Sequence, residues 1–369
     1  MDIVLLIVVA TALFFDFTNG FHDTANAVST IVATKAVSPR IAVMGAAILN
    51  FIGAFISLHV AATIAGGIVR ADAISLPIIM AGLTGAIIWN LITWRAGIPS
   101  SSSHALVGGV IGASIVASGW NVVQWSSFAS HVLIPSLLSP FIGLAVASAF
   151  MIIVIAITNA YPHKQSDSLF RRIQLVSGGL VALMHGTNDA QKTMGIIALA
   201  LLTVSVDKTL SIPLWVIIAS ATAMAAGTWL GGWRIIHTMG EKITRLDPAQ
   251  GFAAQTSTAA TLAVASQLGF PVSTTQTISG SIVGVGVAKK VHVNWATIKR
   301  ILVAWCITIP SVALLSAGTA HIALLPNGVG VLLLIMTITG ITIYTTRDWT
   351  RESRDQMRVL LALLIVRKR

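Results

Sequence analysis

The uncharged apolar stretches of this chain are the feature that most constrains its fold. Residues 41–69, 73–94 and 96–163 contain no Asp, Glu, Lys or Arg. A helix needs about 20 apolar residues to cross the hydrocarbon core of a bilayer, so each stretch is long enough to span. Only 9% of the 369 residues are charged, against about a quarter in soluble domains. The sequence therefore predicts an all-α polytopic membrane protein.

More than half of the net positive charge lies in two segments beside apolar stretches. The net charge is +11, and six of these charges come from two segments that flank apolar stretches, 164–172 and 347–369. Basic residues beside spans mark cytoplasmic segments. We therefore expect lipid, rather than nucleic acid, to be the partner of this charge.

The two halves of the chain repeat. A shift of 166 residues aligns Gly20 with Gly186 and Asp23 with Asp189, within NGFHDTANA at 19–27 and HGTNDAQKT at 185–193. A shift of 172 aligns GIPSSSSH at 97–104 with GFPVSTTQ at 269–276. We predict a first transmembrane repeat at 1–158, a cytoplasmic linker at 159–172 and a second repeat at 173–325. An extra transmembrane helix at 326–345 and a basic cytoplasmic tail at 346–369 complete the prediction.

Polar interruptions divide the apolar sequence into about 10–12 membrane segments. The repeat motifs separate 3–16 from 24–37 and 173–183 from 193–206, whereas 41–69 is one unbroken run. Duplication together with broken helices is typical of a secondary transporter whose site lies between the repeats. If each half crosses an odd number of times, the repeats are inverted.

Two carboxylates occupy equivalent places in the repeats. A carboxylate at membrane depth costs at least about 2.5–3.5 kcal/mol, so it faces a cavity, an ion or a partner. Asp23 and Asp189 therefore predict one central site, with Asn26 beside them. The alternative is that each carboxylate caps a broken helix.

The hydroxyl-rich turns resemble anion cradles. A Gly-x-Pro sequence ends one helix in each half, and a run of hydroxyls begins the next. A helix start carries unpaired N–H groups and partial positive charge, which suits an oxyanion. The alternative is N-capping alone. The candidate phosphate ligands here are Ser101, Ser102, Ser103, Ser273, Thr274 and Thr275.

Lys192 takes the place that Asn26 has in the first repeat. It follows Asp189 by three residues, so the two share a helix face. It is either a fixed positive charge in the phosphate site or a snorkelling lysine at a helix end. The polar neighbours of the motifs are candidates for handling the coupling proton or cation, together with Asp23 and Asp189: His22, His104, His185, Asn188 and Gln276.

With these motifs the chain resembles the inorganic phosphate transporter (PiT) family, and in particular its bacterial low-affinity carriers. The resemblance runs from about residue 12 to 345 and rests on NGFHDTANA, HGTNDAQK, GIPSSSSHALVGG and GFPVSTTQTISGS. It implies a dimeric carrier with inverted repeats and two re-entrant-like hairpins. It also implies symport driven by sodium or protons and, in some bacterial members, transport of a metal–phosphate complex.

The family's paired Asn-Asp motifs fall on Asp23, Asn26 and Asp189, so we expect any sodium ion to lie near these three. Many sodium-coupled members have a second Asn where this chain has Lys192, and Asn where it has His22. These departures favour proton coupling over sodium coupling.

We predict a secondary active transporter, not an enzyme and without a cofactor, that imports phosphate across the cytoplasmic (inner) membrane by cation symport. A sulfate permease of the same fold is the alternative, although sulfate carries no proton at neutral pH and the carboxylates would repel it. An ion channel is the alternative of another class. A metalloenzyme motif such as His-Glu-x-x-His does not occur.

Overall fold

The computed structural model describes residues 3–159, 163–205 and 210–347, with side chains for all of these except 163–165. The described part is helical and contains no strand. Two π-helical turns, Phe128–Leu133 and Thr238–Lys242, extend α6 into α7 and lengthen α10. The helices are α1 (Ile3–Ala33), α2 (Pro39–Gly53), α3 (His59–Gly67), α4 (Leu76–Ala96), α5 (Ser102–Ser118), α6 (Trp125–Ser127), α7 (Ile134–Thr158), α8 (His163–Val204), α9 (Leu214–Leu230), α10 (Trp233–His237), α11 (Pro248–Gln267), α12 (Thr274–Ala288), α13 (Trp295–Ala323) and α14 (Val329–Thr346).

Several helices can cross a bilayer, which confirms a multi-pass membrane protein. In the described part, five pass by length and hydropathy: α1, α4, α6 with α7, α13 and α14. The bent pair of α9 and α10, which changes direction by 64°, makes a sixth. The sequence predicted a larger number, about 10–12 segments, because each apolar segment was counted separately, including those too short to cross a bilayer alone.

The element order of the first half recurs in the second. The pair α4 and α5 recurs as α11 and α12, the broken pair α2 and α3 as α9 and α10, and the long helix α7 as α13. Two isolated antiparallel bridges mark the same place in each half, Val69 with Val123 and Thr244 with Val293. The duplication seen in the sequence is therefore a duplication of structure.

The equivalent helices α1 and α8 lie against each other and run in opposite directions. Near the end of α1, Thr34 donates a 2.7 Å hydrogen bond to Gln174 early in α8. Towards the start of α1, Asp16 lies beside Thr193, late in α8. Opposite directions of equivalent helices are what an inverted repeat requires.

The predicted interruptions of α1 and α8 are wrong, because both helices run unbroken through their motifs. Their polar side chains are buried against other helices, which supply hydrogen-bond partners, and neither motif contains the Pro that would force a break. Asp23 and Asp189 are consequently not helix caps.

Most of the predicted linker at 159–172 belongs to a helix, since α8 begins at His163. The predicted tail falls, beyond residue 347, outside the described residues.

A break appears instead inside 41–69, which the sequence presented as one run. Helix α2 ends at Gly53 and α3 begins at His59. The side chain of Gln191 on α8 accepts a 3.2 Å hydrogen bond from the backbone N–H of Ala61, in the first turn of α3. A helix start buried in protein needs such a partner, and the sequence of 41–69 alone does not reveal it.

Two hairpins reach into the centre. Hairpin 1 is α4, the turn 97–101 and α5, and hairpin 2 is α11, the turn 268–273 and α12. Each turn has a glycine in the left-handed region among its first two residues, Gly97 at φ 64° and Gly269 at φ 74°, where a side chain would be strained.

Each hairpin packs against a long helix of the opposite half. Gly112 of α5 lies so close to α13 that a Cβ there would be 2.2 Å from the carbonyl oxygen of Ala313. Gly280 of α12 lies equally close to Pro140 of α7, at 2.0 Å. Small residues permit this close approach of helix backbones in membranes. The halves are therefore interlocked through their hairpins.

Candidate functional site

Asp23 is held by three side chains from three different segments. His22 Nδ1 lies 2.6 Å from Asp23 Oδ1 on the same helix. Ser102 of hairpin 1 donates a 2.8 Å hydrogen bond to Asp23 Oδ2, and Thr275 of hairpin 2 donates one of 3.3 Å to Oδ1. The carboxylate is 2% exposed. Asp23 thus ties α1 to both hairpin tips.

Asp189 makes the corresponding centre on α8, with a lysine as its main partner. Lys192 Nζ lies 2.7 Å from Asp189 Oδ1, 2.5 Å from Ser103 Oγ of hairpin 1 and 3.0 Å from the carbonyl oxygen of Val272 in hairpin 2. Thr274 donates a 3.3 Å hydrogen bond to Asp189 Oδ2. Lys192 is buried well inside α8. This placement excludes the alternative of a lysine that snorkels from a helix end.

The two centres share the hydroxyls at the tip of hairpin 2. Asn26 Nδ2 donates to Thr274 Oγ1 at 2.9 Å and to Thr275 Oγ1 at 3.0 Å. Thr274 also bonds Asp189 and Thr275 also bonds Asp23. Motif residues separated in sequence by about half of the chain therefore form one buried polar cluster between the repeats.

Ser101 and Ser273 act as N-caps. Ser101 Oγ accepts a 3.1 Å hydrogen bond from the backbone N–H of His104, and Ser273 Oγ one of 3.3 Å from that of Gln276. These two hydroxyls cap the starts of α5 and α12, as the alternative of N-capping predicts for them. The next two residues of each run point their hydroxyls at the central cluster. Capping and the central cluster therefore use different hydroxyls of the same run.

His22 and Asn188 hold the two hairpins in equivalent ways. His22 Nε2 lies 3.3 Å from Ser100 Oγ of hairpin 1. Asn188 Nδ2 donates to Ser266 Oγ at 3.0 Å and to the carbonyl oxygen of Phe270 at 3.1 Å, both in hairpin 2. Each repeat therefore secures its own hairpin through the residue that precedes its central Asp.

The remaining histidines lie at the edge of the cluster. His185 Nε2 is 3.5 Å from Asp189 Oδ2, and its Nδ1 is 3.1 Å from Asn50 Oδ1. His104 and Gln276 occupy equivalent positions in the repeats, and Gln276 Nε2 lies 3.5 Å from His104 Nδ1. All of the residues predicted for this site lie in or beside one cluster.

The cluster contains unused hydrogen-bond acceptors. The amide oxygens of Asn26, Gln276 and Asn188 are buried and accept no hydrogen bond. Buried acceptors are normally paired. An incoming donor, such as a hydroxyl of the substrate, or a cation would satisfy them.

One triad within the cluster has the geometry to hold a metal ion. Ligand atoms of Asp23, His185 and Asp189 lie within 4.8 Å of one another. Lys192 already donates to Asp189, however, and its ammonium would repel a second cation bound there.

A basic cavity adjoins the turn of hairpin 1. Its volume is about 450 Å³, and it is lined by Gly97, Ile98 and Pro99. Its lining also includes five basic side chains: Arg95, Arg234, His237, Lys242 and Arg300.

Sequence reasoning missed three polar residues around the cluster. Thr93 lies 3.1 Å from His22 Nε2 and accepts a hydrogen bond from Ser100. Thr93 and Ser100 are therefore two of the missed residues. The third is Asp16, which is fully buried on α1. An ionisable residue in an apolar helix was the available signal, and Asp16 stands at the end of the first apolar segment.

Comparison with known proteins places the chain in a family. A model described as the phosphate transporter family matches residues 19–316. The chain belongs to the phosphate transporter family. A relative from Mycobacterium bovis, named a probable low-affinity inorganic phosphate transporter, is 47% identical over 362 residues, which cover 95% of this chain and 87% of the relative. A relative of the same name from Bacillus subtilis is 46% identical over 86% of this chain and 97% of its own length.

A solved structure agrees with the fold. It is described as the sodium-dependent phosphate transporter, and it superposes with a TM-score of 0.77 at 26% identity, covering 86% of this chain and 98% of the other. These findings confirm the resemblance to the family and the expectation of a transporter rather than an enzyme.

Proposed function

We propose that this protein is a secondary active transporter that imports inorganic phosphate across the cytoplasmic (inner) membrane by proton symport. The observation that carries the proposal is the buried Lys192, which joins Asp189 to Ser103 and to the backbone of hairpin 2. Family membership supports phosphate as the substrate.

The cluster suits an oxyanion that carries a proton. Ser102, Ser103, Thr274 and Thr275 lie in the first turns of α5 and α12, where backbone N–H groups and the helix dipole favour an anion. Protonated phosphate also donates, and the unpaired amide oxygen of Asn26 is a buried acceptor for that hydroxyl. Sulfate offers no such donor and would leave the acceptor unpaired.

Lys192 supports protons over sodium as the coupling ion. Its ammonium donates to Asp189, the carboxylate on which the resemblance would place a sodium ion. We propose that the lysine supplies in covalent form the positive charge that sodium provides in relatives with Asn at this position. The basic cavity behind hairpin 1 is consistent with release of an anion on the cytoplasmic side, where Lys and Arg are enriched.

Uptake of radiolabelled phosphate into proteoliposomes tests the proposal. We expect an inward proton gradient to drive uptake equally in sodium-free and sodium-containing buffer at fixed pH. We expect Lys192→Asn to lose activity or to acquire a sodium dependence. A wild-type requirement for sodium would refute the role given to Lys192 while leaving phosphate transport intact.

A metal–phosphate complex is the second candidate substrate form. The triad of Asp23, His185 and Asp189 is the observation that favours it. If this form is used, uptake in metal-depleted buffer falls and is restored by adding a divalent cation. Equal uptake with and without the metal would exclude it.

A further inference from the structure

Asp16 is a buried carboxylate that neither repeat motif contains. In the described part of the chain, three carboxylates are buried, and Asp16, at 0% exposed, is one of them with Asp23 and Asp189. The other two accept several hydrogen bonds, whereas neither oxygen of Asp16 accepts any. An ionised carboxylate in such surroundings is strongly disfavoured, so it takes up a proton or a cation.

Asp16 lies on the face of α1 that lines the site. Asp16, Asn19, Asp23 and Asn26 are spaced by three or four residues, which places them along one face of a helix. Asp16 is two turns, or about 10 Å of helix axis, from Asp23. Asn19 and, on α8, Thr193 lie beside it.

Asp16 also departs from the repeat. The shift that aligns Asp23 with Asp189 aligns Asp16 with Ala182. Lys192 also departs from the repeat, because it stands where the first repeat has Asn26, and it brings a permanent charge that the first repeat lacks there. One half thus contributes an additional acid and the other an additional base, and the charge of each acts on the other.

The charge balance of the cluster depends on Asp16. With Asp16, Asp23 and Asp189 all ionised, three negative charges face the single permanent positive charge of Lys192. Such an excess would repel an incoming anion. A proton on Asp16 removes one negative charge without filling the space that phosphate needs.

We propose that Asp16 binds and releases the proton that is co-transported with phosphate. The inference rests on the proposed function, since it deepens the proton coupling of the same site. A proton from the outside water binds to the Asp16 carboxylate, phosphate then binds beside Asp23 and Lys192, and after inward opening both leave to the cytoplasm. No covalent bond of the substrate is changed.

The unpaired atoms beside Asp16 suit a proton better than a sodium ion. The amide oxygen of Asn19 and the hydroxyl of Thr193 are buried without partners, like both oxygens of Asp16. One proton turns the carboxyl into a donor that pairs with a neighbouring acceptor. A proton needs a single acceptor of this kind, whereas a metal cation needs several oxygen ligands arranged around it.

Few other charges act on Asp16. From α8 these are Asp189 and Lys192. Helix α9, which packs along α1, carries no titratable residue. On α4, α10 and its π-helical turn the titratable residues are Arg95, Arg234, His237, Glu241 and Lys242, and all of these except Glu241 line the basic cavity near the hairpin 1 turn. Helices α2 and α5 add Arg40 and His104. His22 and Asp23 are two turns away on α1 itself.

Two transport modes separate proton coupling from substrate binding. Gradient-driven accumulation needs the proton to be carried and released, whereas exchange of internal for external phosphate needs only the loaded carrier to reorient. An imposed gradient of one pH unit concentrates phosphate about tenfold for each proton carried. Both modes are measured in proteoliposomes containing wild type, Asp16→Asn, Asp16→Glu and, as a control with the same chemical change on an exposed residue, Asp72→Asn.

We expect Asp16→Asn to lose accumulation, so that at zero membrane potential the inside-to-outside ratio of the phosphate monoanion falls to one, while exchange stays within a few-fold of wild type. Its exchange should also lose the pH dependence of wild type at a constant concentration of the phosphate monoanion. Asp16→Glu and Asp72→Asn should retain both modes.

Accumulation by Asp16→Asn at the wild-type ratio would overturn the proposal. So would loss of both modes by Asp16→Asn in protein that is folded in detergent, because Asp16 would then serve binding or structure. If Asp16→Asn does not fold, the pH profile of Asp16→Glu decides: an unshifted profile overturns the proposal and a shifted one supports it. Absence of phosphate exchange in wild type would instead refute the proposed function.

Discussion

The buried pair of Lys192 and Asp189 allows a quantitative test of how the site is held together. Replacing Lys192 by Met keeps most of the side-chain volume and removes all three of its polar contacts. Asp189 is then a buried carboxylate that retains Thr274 and, at 3.5 Å, His185 as neighbours but has lost its lysine. Removal of one member of a buried ion pair costs about 3–5 kcal/mol, so we expect a clear fall in the midpoint of thermal unfolding in detergent.

The double variant Lys192→Met/Asp189→Asn tests the cause of that loss. Because the uncompensated charge is gone, much of the lost stability should return, although transport should not. The exposed Lys299→Met is the matched control and should change stability by no more than about 0.5 kcal/mol. Equal melting of Lys192→Met and the control, or no recovery in the double variant, would refute this reasoning.

The same substitution should weaken phosphate binding. A hydrogen bond to a charged group contributes about 1.5–3 kcal/mol, which corresponds to a rise in KM of about 10- to 150-fold. Concentration-dependent uptake by Lys192→Met provides the measurement. An unchanged KM in folded protein would place Lys192 outside the phosphate site.

Three further expectations follow from the cluster and its packing. Asp23→Asn and Asp189→Asn should each abolish uptake in protein that still folds in the membrane, and near-normal uptake by both would remove these carboxylates from the mechanism. Arsenate, which keeps a hydroxyl near neutral pH, should compete with phosphate uptake, whereas sulfate should not; equal competition would contradict recognition through the unpaired acceptors. Gly112→Leu should prevent folding, measured as the yield of monodisperse protein, because its first side-chain carbon would already lie 2.2 Å from the backbone oxygen of Ala313. Gly45→Leu, where nothing lies within 4 Å, should fold normally.

The sequence predicted the components of the site better than the course of the backbone. The motif pairs located Asp23 and Asp189 because charges in apolar helices stand out. The same polar motifs suggested breaks in α1 and α8 that do not exist. In contact with lipid, the polar side chains of such a motif would be unpaired, and the helix would be expected to break there. Here the hairpin tips supply hydrogen-bond partners instead. The hairpin tips are far from the motifs in sequence, so the motif alone does not reveal them.

Long-range packing also explains what was missed. After the break at Gly53, the start of α3 pairs with Gln191, which lies more than a hundred residues later in the chain. Asp16 has no counterpart in the second repeat, so repeat comparison could not reveal it. The role of Lys192 was left open by its spacing from Asp189 alone, and it became clear only once hairpin 1 brought Ser103 to the ammonium.

The crossed packing of the hairpins has a consequence for the biosynthesis of this protein. When the first half has emerged from the ribosome, the side of α5 that carries Gly108 and Gly112 has no partner, because α13 is made near the end of the chain. The packing of hairpin 1 against α13 can therefore form only when synthesis is nearly complete. A chain that stops after the first half therefore leaves uncovered the side of α5 that is shaped for close contact with α13.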